Sequence, residues 1–151
     1  MEFISTATPE KTNEQGKADD IESKRYFIDA GWFGQHRRSL PLVLRSRLCP
    51  SCQEGQVRDD ELMDNIKRCC SQADGFVAAG QPFQESAFRL LLAKGGQPMS
   101  LGEMLAELKG RSDIGLLSLS ARTLDRLLSR DTFYGICPAL VTYFTNASLS
   151  T

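Results

Sequence analysis

From Pro82 onward the chain repeats one pattern three times: a start signal, apolar residues three and four apart, then a stop. Pro82 fits a first helical position, where its missing N–H costs nothing. Phe83, Ala87, Phe88, Leu90, Leu91 and Leu92 give the first predicted helix a broad apolar face, and Gly95 ends it. "GGQPM" is a turn. Ser100 and Glu103 have the spacing of a capping box, in which each side chain satisfies an orphan N–H of the other residue. The second helix runs through Met104, Leu105 and Leu108 to a stop at Gly110. Ser118 or Ser120 caps the third, which turns Leu124, Leu127 and Leu128 inward. Two short β-prone runs, joined through Cys137-Pro138, complete the pattern.

Upstream the pattern is less regular. Residues 1–22 carry few apolar side chains beyond Phe3 and Ile4 and cannot offset the entropy of ordering, so a disordered tail is expected. The chain then turns aromatic and basic in "KRYFIDAGWFGQHRRSLPLVLRSRLC", where Tyr26, Phe27, Ile28, Trp32 and Phe33 require packing partners. Pro41 interrupts any helix through the middle of this run. The expectation is a short helix after Asp29 and a second from about Leu40 to Arg47. "CPSCQEGQ" reads as a turn. "DDELMDNIKRCCSQA" reads as an acidic-started helix with Leu62, Met63, Ile66, Cys69, Cys70 and Ala73 along one side. "AAGQPF" is the expected seam between a module at 23–80 and a domain at 81–146, with 147–151 a disordered end.

Composition adds bounds. At 151 residues and a net charge of −1, the chain as a whole is not a bulk polyanion binder. The charge is uneven, however: residues 1–20 are net acidic, 21–58 net basic and 59–151 mildly acidic. Any nucleic-acid contact must therefore use a local patch. No apolar run approaches the roughly 18 residues needed to span a bilayer, and the N-terminus lacks the basic start and apolar core of a signal peptide. A cytoplasmic location is expected, with the five cysteines reduced or metal-bound.

The order helix, "PMS", helix, helix and two strands over roughly the last 70 residues resembles the winged helix-turn-helix superfamily. The expected fold is mainly α (α+β): a small zinc-stabilised helical module, expected from the cysteines of 23–80, then the winged-helix domain with a short two-stranded wing that the resemblance implies. It implies that "SARTLDRLLSR" is the helix that enters a major groove and "TFYGICPALVTYF" the wing. On that helix Arg122 and Arg126 fall on the side away from Leu124 and Leu128, and arginine is well shaped to grip guanine edges or phosphates. Two features depart from the family: the connection "GRSDIGLLSLS" is longer than a tight helix-turn-helix allows, and the run "GICPALVTYF" has no Lys or Arg. Asp125 and Asp131 also adjoin the arginines and are expected to compete for them.

Cys49-Pro50-Ser51-Cys52 has the form of a zinc knuckle, with two thiolates two residues apart on a tight turn. Cys69 and Cys70 follow at a second half-site spacing. Adjacent residues on a helix point about 100° apart, so a helical Cys69-Cys70 pair would strain to share one ion. The expected ligands are Cys49, Cys52, Cys69 and Cys70, with His36 and Cys137 as alternative fourth donors. Zinc in a structural role is the expected cofactor, although an iron–sulfur cluster takes the same ligands.

Arg37, Arg38, Arg45 and Arg47, interleaved with Tyr26, Phe27, Trp32 and Phe33, suit an auxiliary nucleic-acid patch. They suit equally the hot spots of a protein interface. With a single histidine and no P-loop, GxGxxG or HExxH, neither an enzyme nor a small-molecule substrate is expected. The expected function is a nucleic-acid-binding accessory or regulatory protein whose partner is DNA or RNA. The alternative is a protein-docking adaptor of a larger assembly.

Overall fold

Arg25–Ile28 alternates its side chains between solvent and interior, burying Tyr26 and Ile28, and forms the middle strand, β1, of a three-stranded antiparallel sheet. The computed structural model describes residues 21–78, 80–110 and 119–139. One edge is β2 (Met99–Ser100), with Arg25 opposite Ser100 and Tyr26 opposite Met99. The other is β3 (Ile136–Ala139), running from Ile28 opposite Ile136 to Arg25 opposite Ala139. This corrects the expected wing: Cys137-Pro138, expected to join two runs, lies inside β3, where pairing with β1 holds it extended, and residues 132–134 of the expected first run form bends and not a strand. The run beyond Ala139, residues 1–20 and 147–151 of the expected tails and most of the long connection before residue 119 lie outside the described residues. Ile21 and Glu22, expected in the disordered tail, are helical, because Ile21 finds a place against the core.

Besides helical residues 21–23 and 3-10 turns at Asp59–Glu61 and Cys70–Gln72, the described residues form the helices α1 (Ala30–Gln35), α2 (Leu40–Arg45), α3 (Pro50–Glu54), α4 (Leu62–Arg68), α5 (Phe83–Ala93), α6 (Leu101–Lys109) and α7 (Ala121–Ser129). Local chemistry sets most of their starts. Asp29, Ser39 and Ser120 each accept a backbone N–H of the first turn, and Ser100 with Glu103 forms the full capping box. The protein is mainly helical, in the α+β class. Upstream, two expectations needed correction. "CPSC" begins a short helix, because Pro50 pre-sets the helical φ at its first position. The helix expected to continue through Cys69 and Cys70 ends at Arg68.

The core centres on α5, which packs against α4, α6, α7 and β1. Tyr26, Phe33, Leu62, Ile66, Phe88, Leu91, Leu124 and Leu128 belong to one buried cluster, so apolar packing is continuous across residues 78–82. Two glycines permit close approaches. Gly96 (φ +81) follows α5, where its carbonyl accepts the N–H of Ile28. Gly135 (φ +68) lies under Phe33, and a Cβ there would fall 2.5 Å from the ring.

A polar contact fixes α7 against β1. The Tyr26 hydroxyl donates to the Asp125 carboxylate at 2.5 Å, and Lys24 Nζ lies 3.0 Å from the same oxygen. Burial alone would raise the Asp125 carboxyl, but these two donors hold it below its ordinary value. Tyr26→Phe is expected to cost about 1.5–3 kcal/mol, as for a hydrogen bond to a charged acceptor. An unchanged denaturant midpoint would show that the contact contributes nothing.

Candidate metal centre

Two chain segments bring four sulfurs together. Cys49 is the N-cap of α3, and Cys52 sits one turn on, on its buried side. The other pair comes from the place where α4 ends. Cys69 leaves helical geometry (φ −118, ψ −61), and Cys70 begins a separate 3-10 turn over Cys70–Gln72. This break resolves the geometric objection to a Cys-Cys half-site, because the two residues are no longer on one regular helix. The Sγ atoms of Cys49, Cys52 and Cys69 lie within 4.8 Å of one another, with Cys49 and Cys69 3.7 Å apart. Cys70 Sγ accepts the backbone N–H of Cys49 at 3.1 Å.

The donor set fits a tetrahedral thiophilic cation. Zinc–sulfur bonds of about 2.3 Å place neighbouring sulfurs about 3.8 Å apart at tetrahedral angles, close to the Cys49–Cys69 separation. That distance is far from a disulfide bond, and all five cysteines are free thiols. Electrostatics divides the group. The Ser51 hydroxyl, then the Cys52 backbone N–H, draw the Cys49 thiol down to about 6. Burial pushes Cys52 and Cys70 up, so the interior of the cluster favours neutral sulfur until a cation compensates it. The Cys49, Cys52, Cys69 and Cys70 cluster can therefore hold a metal ion such as zinc.

The two alternative fourth donors lie elsewhere. His36 stacks on Trp32, with ring centroids 4.1 Å apart, and its Nδ1 is 2.8 Å from the Trp32 carbonyl oxygen. Cys137 stands on β3 opposite Phe27. Burial, with the Asp29 and Asp131 carboxylates, raises its thiol. Neither joins the sulfur group.

The six arginines singled out from sequence separate into three settings. Arg45 is held by Asp59 at 2.6 Å and by the Val57 carbonyl. Arg47 makes a two-pronged contact with Glu85 at 2.8 and 3.1 Å, its guanidinium 5.0 Å from the Phe88 ring centre. Arg38 covers the Phe133 ring at 3.9 Å. Arg37, Arg122 and Arg126 are exposed and pair with no carboxylate among the described residues. The expected competition from Asp125 and Asp131 is absent. Asp125 turns to β1, and Asp131 accepts the backbone N–H groups of Phe133, Tyr134 and Ile136.

Sequence reading missed Glu85 and Arg89. Their i, i+4 spacing was a legible signal for the pair on α5, 2.7 Å apart, but nothing local pointed to Arg47 as the third member.

Fold and site together define a mainly helical α+β protein with a four-cysteine cluster able to hold a metal ion. The chain matches no family model, no curated protein and no solved structure. Among the described residues no helix is long and apolar enough to cross a membrane.

Proposed function

We propose that this chain is a non-enzymatic nucleic-acid-binding accessory or regulatory protein. In this reading a structural zinc ion at Cys49, Cys52, Cys69 and Cys70 fixes α3 to the end of α4, and α7 contacts DNA or RNA. The metal would supply folding energy and no reactive group. The order α5, β2, α6, α7, β3 supports a winged-helix reading, with α6 and α7 as the helix-turn-helix. One observation carries the proposal: the outer face of α7 presents Arg122 and Arg126 four residues apart, both exposed, while the carboxylate between them is drawn inward by Lys24 and Tyr26. A solvated helix face of the usual kind would pair its charges locally. Here the local acid is engaged elsewhere, which leaves two cations at groove-reading spacing.

The adaptor reading retains one observation. Leu42 on α2 is 69% exposed, an unusual position for a large aliphatic side chain in a basic segment.

Titration of the zinc-loaded protein with double- and single-stranded DNA and RNA at several salt concentrations tests the proposal. Binding is expected to weaken with salt, with a slope of about −0.9 in log K against log salt for each duplex phosphate neutralised. Arg122→Ala with Arg126→Ala should lower affinity at least about tenfold and flatten that slope by nearly two contacts. Parental affinity in the double variant would remove α7 from the interface. An absence of binding even at low salt would leave the adaptor.

A further inference from the structure

Away from the metal centre, the end of α1 and the loop before β3 meet through the buried Phe33, and the planar groups around this contact form a platform whose exposed members are His36 and Phe133. Trp32 and His36 stack with ring planes 19° apart, and Trp32 meets Phe33 edge-on at 5.2 Å. Phe33 seats over Gly135, in the same loop as Phe133. Phe133 is 47% exposed, and the Arg38 guanidinium lies 3.9 Å over its ring.

Past its N-cap Asp29 the helix side of this platform carries only positive charge, while Asp131 of the loop turns its carboxylate onto the backbone N–H groups of Phe133, Tyr134 and Ile136. From Ala30 to Gln53 the sequence contains no carboxylate. Neither Arg37 nor Arg38 forms an ion pair among the described residues, and Arg38 Nε is buried there without a hydrogen-bond partner. Held flat against an aromatic ring, this guanidinium has donor capacity that the fold leaves unmet.

Arg37 adds an independent observation. The N–H groups of Arg37 and Arg38 close α1 onto the carbonyls of Gly34 and Phe33, which is a Schellman ending with Arg37 in the left-handed position at φ 57. The same ending closes α5, where Gly95 and Gly96 donate to Leu92 and Leu91, and the left-handed residue is Gly95. At α1 a cation occupies a conformation that glycine adopts without penalty, and its side chain is exposed.

We propose that this platform binds single-stranded nucleic acid, with bases stacked against the exposed Phe133 and His36 and phosphates at Arg37 and Arg38. The inference rests on the nucleic-acid reading above and gives it a strand state. Flat rings beside unpaired cations suit unstacked bases, each of which offers a π-face, whereas a duplex offers only base edges in its grooves. An acidic peptide would satisfy the cations but has no planar groups for the rings.

Trp32 is the only tryptophan of the chain and reports directly on the platform. The full chain, zinc-loaded, is titrated with an oligo(dT) strand, with a duplex of the same length and with poly-glutamate, reading Trp32 emission and anisotropy of the labelled ligand. The expected result is a Trp32 response to the single strand, with at least about tenfold weaker binding in Phe133→Ala. Arg37→Gly should melt no lower than the parent, because it relieves the left-handed strain, yet flatten the salt slope by about 0.7 for the lost single-strand phosphate contact. If nucleic acid binds without a Trp32 response and with parental affinity in Phe133→Ala, the platform is overturned and the nucleic-acid reading stands. Poly-glutamate binding as tightly as the single strand also overturns it. If no nucleic acid binds at low salt, both readings fall together.

Discussion

Cys52→Ser is expected to release the metal and abolish most of the helical signal of the N-terminal half. Cys52 is the buried member on α3, so its loss removes a ligand from the side of the cluster that solvent cannot replace. Structural zinc sites of this ligand class supply apparent binding free energies of about 10–16 kcal/mol. Even a modest share of that, lost from this chain, should lower the melting temperature by about 10 °C or more. A strong chelator should reproduce the effect on the parental protein, and Cys137→Ser, which alters a thiol on β3, should reproduce neither. Metal content by elemental analysis, followed by circular-dichroism melts, decides the matter. A Cys52→Ser variant whose metal content and melting curve match those of the parental protein would refute the structural role.

Glu85→Ala is expected to cost about 3 kcal/mol, because it leaves two half-buried guanidinium groups without their shared carboxylate. Arg47 and Arg89 both converge on Glu85, whose side chain is 13% exposed, and Arg47 reaches it from a segment 38 residues away. The contact joins the loop after α2 to α5 and so bridges the upstream module to the core helix. The pH dependence follows from the same geometry. Burial would raise the Glu85 carboxyl, but Arg47 and Arg89 outweigh it and hold the group below its ordinary value. A carboxylate depressed in the folded state contributes stability above its unfolded value of about 4.3 and loses it as pH falls through the folded value. The stability gap between the parent and Glu85→Gln should therefore be full at neutral pH and close progressively in acid below about pH 4. A gap that stays constant from pH 7 to pH 3 would show that Glu85 acts through packing and not through charge.

Much of the C-terminal half was legible because its signals are local. Ser100 and Glu103 cap α6 over three residues, Ser120 does the same for α7, and Gly95 ends the preceding helix. Apolar spacing then named Leu124 and Leu128 as core. The cysteine set was legible for a related reason, since ligand chemistry restricts residue type and spacing before any fold exists. The strand at Arg25–Ile28 escaped notice although Tyr26 and Ile28 alternate, because four residues carry too little periodic signal to announce a strand. The Cys69-Cys70 geometry was not legible, because the apolar spacing continues to Ala73 whereas the helix ends at Arg68, just before the pair.

By itself the sequence determined where the main helices of the C-terminal half start and stop, which of their faces turn inward and which thiols are available to a metal. Each of these depends on neighbours within one or two turns. Only the tertiary structure decided that β1 lies between β2 and β3, that Arg47 belongs to Glu85 and that Asp125 leaves Arg122 and Arg126 without a carboxylate partner among the described residues. The Tyr26–Asp125 contact spans 99 positions. A charge on a helix surface pairs with whatever packing brings beside it, and that neighbour is set by the burial of side chains far away in the chain.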